Sequence, residues 1–493
     1  MKSILVATIG TRDVMFQISS GEWYNIGDDR MQDGDIIGEQ AKVIADLSVK
    51  SPISYRDLTK YLFDHIEIYR SRIKPIIIGK LITEKGANLE KVYLIATDQK
   101  PEVTQRKKDS VHAAQLIKDW VIHELDSLKA EDVEIITLGE DGTNPSNFEE
   151  MFRWFRQVWQ HKIPQPSGEL WVCLKGGVGQ TSEAARISGL SRYGDRIQFF
   201  EFKQNTKANR QGIPSDYSGP FLGTNYIWDR TQQQVLKLLK RYDYAEVNDL
   251  LQPYFKQDPK GFSSLPNLIE AGIAWNQGEF DIFFSLVKDY LTAAEQRETE
   301  WWWKAYEQAQ LGLVRLEQEN TTEAMLHSYR SIEGALYLWA KHSFPDDVKE
   351  RQDKFPLIYK SITHKYHALK TKLTKYEARK LDREGNIELK GRVLQGLLEV
   401  AISEAETSED FKAYWKARGM RNNLSHRLGG LEKNNLFKAW GEDIKDAQQW
   451  QRRILNCLNL ITKQKFKSLS QASLFSKIHN QVVDEITHYE LKM

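Results

Sequence analysis

The spacing of apolar residues divides the chain into two parts. In residues 1–224, short continuous apolar runs alternate with stretches in which apolar residues recur every three to four positions. Continuous runs are typical of strands buried in a parallel sheet, and the longer period is typical of amphipathic helices. The predicted strands are Ser3–Ile9, 91–96, Val133–Leu138, 169–174 and 197–202. Their β-α-β order predicts a parallel, doubly wound α/β sheet of the Rossmann type.

The segments between these strands have the pattern expected of crossover helices. Helical spacing covers 104–126, 147–160 and Gly179–Tyr193, and residues 39–90 are also mostly helical in pattern. The polar segment 203–223 is rich in glycine and proline, which predicts a linker or a surface loop.

From residue 225 onward the strand-like pattern disappears. Long helical periods follow one another, including 355–375 and 409–427. This part is predicted to be all-α, with a helical linker region at 225–320 and a separate helical domain at 321–493. A clear fixed-period repeat is absent, so a solenoid is not favoured.

Composition narrows the function classes. Sixty-nine Lys and Arg residues balance 68 Asp and Glu residues, so the chain lacks the footprint of a general nucleic-acid binder and no DNA partner is expected. The two cysteines, Cys173 and Cys457, support neither a zinc site nor a disulfide framework, and we expect a reducing cytoplasm. No apolar run reaches the roughly 18 residues of a membrane span, so no membrane partner is expected.

Four of the predicted strands end in chemically similar loops. In an open α/β sheet, ligands lie beyond the carboxyl ends of the strands, and glycines there let backbone N–H groups approach a phosphate at a helix N-terminus. The alternative is that the glycines only make a tight strand-to-helix turn. The candidate ligand residues are Gly10, Thr11, Arg12, Thr97, Asp98, Asn144, Lys175, Gly176, Gly177, Gly179, Gln180 and Thr181.

These loops do not match the common nucleotide fingerprints. The loop at 175–182 lacks the Gly-Lys-Ser/Thr ending of a Walker A motif. The first strand is followed by a single glycine, Gly10, where a dinucleotide fingerprint needs three. A nucleotide-dependent oxidoreductase is therefore disfavoured.

A second candidate site lies near the C-terminal end, at Arg421, Asn422 and His426. A histidine titrating near neutrality can move protons at a ribose hydroxyl or leaving oxygen, and an arginine can hold the charge on a phosphate. RNA can be cut by such a pair without a metal. Five residues on an ideal helix separate Arg421 and His426 by about 140°. Either the helix unwinds after Asn422, or a second subunit completes the site.

Glu333 has two interpretations. It lies three residues after Arg330 on a predicted helix, so an intrahelical ion pair is one reading. It could equally orient Arg421 from a neighbouring helix.

Five segments of the chain occur in an order and spacing similar to those of a known family. They are Ile9-Gly10-Thr11, 175–181, 329–339, Arg421-Asn422 and His426. Through them the chain resembles the CARF–HEPN ribonucleases that accompany type III CRISPR systems. The resemblance implies a CARF domain that dimerises and binds cyclic oligoadenylate as an allosteric activator. It also implies a HEPN homodimer in which both protomers form one metal-independent site for single-stranded RNA. The resemblance further implies a product that carries a 2′,3′-cyclic phosphate. By the same resemblance, Arg421 binds the scissile phosphate, His426 moves the proton, and Asn422 positions the motif.

The resemblance leaves several properties open. Some CARF domains also degrade their activator, for which Thr11, Thr97, Lys175 and Thr181 are candidates. The segment 12–38 is a departure that could form a lid over the ring or an added dimer contact. The alternative function is a non-catalytic cyclic-nucleotide sensor whose helical domain docks a partner. In that case Arg421 and His426 would be ordinary surface residues.

Overall fold

The computed structural model describes residues 2–27, 38–352, 354–424 and 429–491. The chain divides into two compact units, Met1–Arg230 with Leu491–Met493, and Thr231–Glu490. The division falls within one helix, Gly223–Leu239.

Two sheets form in the described part of the first unit. The main sheet has the order β6-β5-β1-β7-β8-β9, in which β9 is antiparallel to β8 and the other neighbours are parallel. Successive connections run outward from β1 in one direction and then in the other, so the strand order reverses between β1 and β7. A small antiparallel sheet has the order β3-β2-β4. The strands are β1 Ser3–Ile9, β2 Val14–Gln17, β3 Trp23–Asn25, β4 Ile73–Pro75, β5 Leu89–Thr97, β6 Val133–Leu138, β7 Leu170–Cys173, β8 Ile197–Lys203 and β9 Asp216–Leu222.

Helices cover both faces of the main sheet. Along β1, Leu5 and Ala7 belong to the apolar cluster packed by α2 and α5, while Ile4 and Val6 belong to the cluster packed by α6 and α7. This alternation follows from the two-residue period of a strand. The helices are α1 Glu39–Leu47, α2 Tyr55–Asp64, α3 Ile66–Tyr69, α4 Gly79–Lys85, α5 Val111–Glu124, α6 Phe148–His161, α7 Gly179–Tyr193, α8 Thr206–Asn209 and α9 Gly223–Leu239.

Part of segment 12–38 is built into the first unit. Val14, Phe16 and Tyr24 are buried in β2 and β3 and pack with the apolar cluster below the main sheet. Residues 28–37 lie outside the described residues. The described portion therefore contributes to the core of the first unit.

The prediction of a linker or surface loop at 203–223 is wrong for much of this segment. Its second half forms β9, which pairs with β8 in the register Phe199↔Phe221, and its first half contains α8. Most side chains of β9 are exposed or half-buried. A solvated edge strand needs no apolar run, which is why the sequence pattern did not indicate it.

The second unit is mostly helical. Its central helix, α14, packs against α13, α20 and α22 and buries Tyr329, Ile332 and Leu336. The helices are α10 Tyr244–Gln257, α11 Leu265–Asn276, α12 Phe280–Val287, α13 Trp303–Glu317, α14 Thr321–Ser343, α15 Ile362–Lys365, α16 Leu369–Lys372, α17 Lys375–Glu384, α18 Arg392–Ala401, α19 Ser403–Thr407, α20 Glu409–Leu424, α21 Lys433–Ala439, α22 Ala447–Thr462, α23 Leu469–Ala472 and α24 Leu474–His488.

A small sheet corrects the all-α prediction for this part. The strands β10 (Val348–Arg351), β11 (Lys354–Tyr359) and β12 (Asn386–Glu388) form an antiparallel sheet. The single helix predicted across 355–375 is therefore wrong, because its start forms β11 and only the four-residue helices α15 and α16 lie in the rest. Most residues of these strands are exposed or half-buried, so their sequence lacks a buried-strand pattern. The fold class, an α/β first part followed by a mostly helical second part, is confirmed.

Within the described ranges, no helix is long and apolar enough to cross a membrane.

Candidate functional site

A cavity of about 740 Å³ opens at the carboxyl ends of β1, β5, β6 and β7. Each of the four loops predicted from the sequence contributes to its lining. The cavity lies where the strand order reverses, between β1 and β7, which is the usual ligand position of a doubly wound sheet. Its volume lies within the usual range of small-molecule and cofactor sites.

The loops after β1 and β7 meet through their backbones. A Cβ atom added to Gly10 would lie 2.6 Å from the backbone nitrogen of Gly177, and one added to Gly176 would lie 2.2 Å from the carbonyl oxygen of Thr8. Both distances are shorter than any real Cβ contact, so these two positions require glycine. Gly177 has a φ of +92°, which also favours glycine. The close approach explains Gly10 and Gly176 as packing residues of the cavity floor.

A buried carboxyl group supports this floor and was missed from the sequence. Asp13 is 3% exposed and accepts a short hydrogen bond from the backbone N–H of Gly10. Burial raises the pKa of Asp13 to about 7. Burial also raises the pKa of the nearby Cys173 thiol, and the charge of Asp13 adds to this shift. The hydroxyl of Tyr55 donates to the Gly10 carbonyl oxygen at 3.3 Å, so the first loop is held from both sides.

Hydrogen bonds tie the remaining loops to one another. The Thr181 hydroxyl donates to the Pro145 carbonyl oxygen at 3.0 Å, which links the start of α7 to the loop after β6. The Ser110 hydroxyl donates to the Ile9 carbonyl oxygen at 2.7 Å, and the backbone N–H of Thr97 donates to Ser110 Oγ at 3.1 Å. The cavity walls are therefore linked through side chains as well as through the sheet.

The predicted ligand residues divide into two sets. Six of them line the cavity: Gly10, Thr11, Thr97, Asn144, Gly177 and Thr181. Among the residues that the structure describes, the other six lie outside this lining: Arg12, Asp98, Lys175, Gly176, Gly179 and Gln180.

Three members of the second set have identifiable surroundings. Asp98 pairs with Arg56 at 2.7 Å and so faces α2. Lys175 and Gln180 are exposed beside the lining residues of the loop after β7.

Several lining residues escaped the sequence reasoning. Gln99, Gln105, Lys108 and Thr143 also line the cavity. Gln105 and Lys108 belong to a short 3-10 helix, Thr104–Lys108, between β5 and α5. The run Arg106-Lys107-Lys108 after the second strand was an available signal, because basic residues beside a strand end suit an anionic ligand.

In the second unit, Arg421 is held by two residues of α14. Its Nη2 lies 2.7 Å from Glu333 Oε2, and its guanidinium carbon lies 4.8 Å from the centre of the Tyr329 ring. Glu333 and Tyr329 are four residues apart and therefore share one face of α14. Of the two interpretations of Glu333, the structure agrees with the one that orients Arg421.

Aromatic packing positions this pair. Tyr329 of α14 stacks on Tyr414 of α20 with ring centres 4.8 Å apart. Burial raises the pKa of Tyr414 well above its ordinary value, so this tyrosine remains neutral. Helix α20 begins where expected, since Ser408 Oγ accepts from the backbone N–H of Phe411 at 3.3 Å. The start of α20 and its stacked tyrosine together fix where Arg421 emerges.

The remaining predicted catalytic residues have different outcomes. Asn422 accepts a hydrogen bond from Arg421 Nη1 through its side-chain oxygen, at 3.1 Å. His426 lies outside the described residues, which stop at 424 and resume at 429. The relation between Arg421 and His426 thus remains a prediction.

Across the part of the chain that the structure describes, no group of three or more His, Cys, Asp or Glu side chains could hold a metal ion.

Comparison with known proteins gives a likeness among solved structures that covers both units. No protein-family model and no curated protein matches the sequence. Among solved structures, the chain is similar to Enterococcus italicus Csm6 bound to cyclic hexa-2′-fluoro-hexa-dAMP, with 13% sequence identity and a TM-score of 0.58. The match covers 98% of this chain and 100% of that one. This likeness shows a shared fold, and it supports the CARF–HEPN resemblance by fold alone.

Proposed function

We propose that this chain is a metal-independent endoribonuclease for single-stranded RNA that cyclic oligoadenylate activates allosterically, in type III CRISPR antiviral defence. The observation that carries the proposal is the fold shared over 98% of the chain with Csm6, whose structure contains a cyclic oligonucleotide. The proposal assigns 1–224 to a CARF domain and 321–493 to a HEPN ribonuclease domain, with the helical region 225–320 between them. We further propose a cytoplasmic homodimer.

The cavity of the first unit has the chemistry expected for the activator. A cyclic oligoadenylate offers negatively charged phosphates and polar base edges. The N-terminus of α7 favours negative charge, and the hydroxyl groups of Thr11 and Thr97 provide donors. Exposed Lys108 adds a cation at the wall. We propose that the six predicted lining residues contact the ring and that the other six shape or flank the loops.

The chemistry proposed for the second unit follows from Arg421 and His426. The ribose 2′-oxygen attacks the adjacent phosphorus while its proton leaves, the phosphorus–O5′ bond breaks, and O5′ receives a proton. The products are a 2′,3′-cyclic phosphate and a free 5′-hydroxyl. His426 moves a proton in this reaction, and Arg421 stabilises the charge on the phosphate oxygens. Glu333 and Tyr329 keep the guanidinium oriented without themselves contacting RNA.

A cleavage assay tests the proposal directly. Fluorescent single-stranded RNA is incubated with wild type and with His426→Ala, with EDTA present, in the presence of cyclic tri-, tetra- or hexa-adenylate or with no ring. We expect cleavage with one ring size that survives EDTA and falls by about 10²–10⁴ in His426→Ala, as for removal of a general acid–base group.

Other outcomes distinguish the alternatives. Full cleavage by His426→Ala would overturn the catalytic assignment. Binding of a ring without any RNA cleavage would favour a non-catalytic sensor whose helical domain docks a partner. Cleavage that does not depend on any ring would contradict allosteric activation.

A further inference from the structure

A groove of about 810 Å³ lies in the second unit, between α14 and the small sheet that the sequence pattern did not predict. Tyr337 of α14 lines one side of it. The strands β10, β11 and β12 and the loop after β12 contribute the other side. Their lining residues are Arg351, Lys354, Phe355, Glu388 and Lys390. This lining combines aromatic rings with cations.

Phe355 is the most unusual residue of the groove. Its side chain is 45% exposed, although a phenylalanine is ordinarily buried. Its ring centre lies 6.3 Å from that of Tyr337, and the Lys390 ammonium lies 5.0 Å from the Phe355 ring centre. An exposed ring beside a cation is the arrangement on which an unpaired base stacks next to its phosphate.

The charged residues favour a polyanion and are held in place. Of the residues that the structure describes, three cations line the groove with two carboxylates, Glu350 and Glu388. Arg351 Nη2 donates to the Phe355 carbonyl oxygen at 2.7 Å and lies 2.9 Å from Glu388 Oε1. Lys390 lies 2.5 Å from the other oxygen of Glu388. Glu388 thus orders Arg351 and Lys390 beside the exposed ring.

Helix α14 leads from the groove toward the surroundings of Arg421. Tyr337 follows Glu333 by four residues, one helical turn of about 6 Å along the same face of α14. Glu333 is the residue that pairs with Arg421. One wall of the groove therefore begins one turn from the proposed phosphate-binding arginine.

A second line of contacts leads to the same place. Lys390 is followed by Gly391, where an added Cβ would lie 2.8 Å from Arg418 Nη1. Gly391 has a φ of +51°, so both its conformation and the close guanidinium favour glycine. Arg418 precedes Arg421 by three residues on α20, so the two arginines lie about one turn apart. Cations therefore extend from the groove to Arg421.

We propose that this groove binds a nucleotide next to the scissile phosphate, with its base stacked on Phe355 and its phosphate contacting Lys354 and Lys390. The inference rests on the proposed function and names the part of the substrate that contacts the small sheet. Stacking on Phe355 requires an unpaired base, because the bases of a duplex are already stacked on each other. The groove is thus a selectivity element for single-stranded RNA.

Binding of an uncleavable strand tests the groove separately from catalysis. The probe is a fluorescein-labelled RNA of about 12 nucleotides with 2′-O-methyl riboses, which lack the attacking hydroxyl. Anisotropy is measured with full-length protein and with cyclic tetra- or hexa-adenylate present. Phe355→Leu keeps the apolar bulk and removes the flat ring, and we expect it to weaken binding by about fivefold or more. Phe355→Trp keeps a stacking surface and should stay within about twofold of wild type.

Two further variants complete the design. Tyr376→Leu removes a ring that is 71% exposed on α17 of the same unit, outside the groove, and should leave binding unchanged. Lys390→Gln should weaken binding and reduce the slope of log affinity against log salt by about one. Because Lys390 is an exposed side chain, this second variant tests the groove even if Phe355→Leu unfolds.

Each outcome decides the inference. Equal binding by wild type and Phe355→Leu, an equal loss in Tyr376→Leu, or no binding of the strand by wild type would overturn it. If wild type binds the 2′-O-methyl strand through Phe355 but does not cleave ordinary RNA, the endoribonuclease proposal fails and the groove stands. If wild type cleaves RNA and Phe355→Leu binds normally, the groove fails and the endoribonuclease stands.

Discussion

The cavity of the first unit and the Arg421 cluster of the second unit are built by different means. The cavity is shaped by backbone, because Gly10 and Gly176 bring two loops within contact distance at the ends of adjacent strands. The Arg421 cluster is shaped by side chains, because Glu333 and Tyr329 of α14 hold a guanidinium that emerges from α20. Added atoms or a change in buried charge should therefore disturb the cavity. Loss of side-chain groups should disturb the Arg421 cluster.

Replacing Asp13 with asparagine should have the largest effect on this comparison. The pKa of Asp13 is about 7 in the folded chain and about 4 when unfolded. Between these two pH values the folded state binds more protons than the unfolded state. The stability that Asp13 contributes is therefore fully present below about pH 4 and is lost as the pH rises through about 7. Between about pH 4 and pH 8 the free energy of unfolding of wild type should fall by up to about 4 kcal/mol because of Asp13, and Asp13→Asn should not show this fall. Calorimetric unfolding of both proteins across this range measures the difference.

Asp141 provides a control with the opposite sign. A hydrogen bond from the backbone N–H of Thr143 lowers the pKa of Asp141, so its contribution is present above the unfolded pKa and is lost as pH falls. Asp141→Asn should therefore be less stable than wild type at neutral pH and should approach it in acid. A constant difference between Asp13→Asn and wild type at all pH values would contradict the buried, proton-binding carboxyl.

Removing the Arg421 side chain should produce the next largest effect. Arg421→Ala should lower kcat for RNA cleavage by about 10²–10³, because a donor to the transition-state charge is lost. Ring affinity, measured by calorimetry, should not change. Lys412→Ala removes an exposed cation from the same helix and should retain activity. An active Arg421→Ala enzyme would contradict the role of the cluster.

The glycine loops allow a matched test of backbone packing. In Gly10→Ala the new Cβ would meet the Gly177 backbone nitrogen at 2.6 Å, and such overpacking costs about 1–3 kcal/mol. The variant should unfold at a lower temperature and bind the ring about tenfold more weakly. At Gly179 an added Cβ meets no described atom within 4 Å, so Gly179→Ala should unfold at the same temperature as wild type. Equal effects of the two variants would show that close packing is not what Gly10 provides.

The smallest expected effect concerns how Arg421 is held. Glu333→Gln retains an oxygen that accepts from Arg421 but removes its charge, and a hydrogen bond to a charged group contributes about 1.5–3 kcal/mol. The variant keeps part of this hydrogen-bond energy, so kcat should fall by about tenfold with little change in KM. Glu409→Gln, at the exposed start of α20, should stay near wild type. A KM effect without a kcat effect would indicate that Glu333 contacts RNA instead of positioning Arg421.

The strand that is clearest in the sequence is buried on both faces. Ser3–Ile9 is buried at every position and has the predicted bounds, because burial on two sides demands a continuous apolar run. Val133–Leu138 also has the predicted bounds, although it is an edge strand in which Glu134 is exposed. The strands β9, β10 and β11 did not read as strands, since many of their side chains face solvent and their pairing depends on a distant neighbour. The groove at Phe355 was hidden for the same reason.

The sequence by itself determined which chemical groups end each strand and that Arg421 and Asn422 lie near the end of a helix. Strand and helix periods are local, so neighbouring residues suffice to read them. Only the tertiary structure decided that Gly10 touches Gly177, that Asp13 is buried, and that Glu333 meets Arg421 from 88 residues away. These contacts depend on how separate elements pack, and packing of distant segments leaves no periodic signal in the chain.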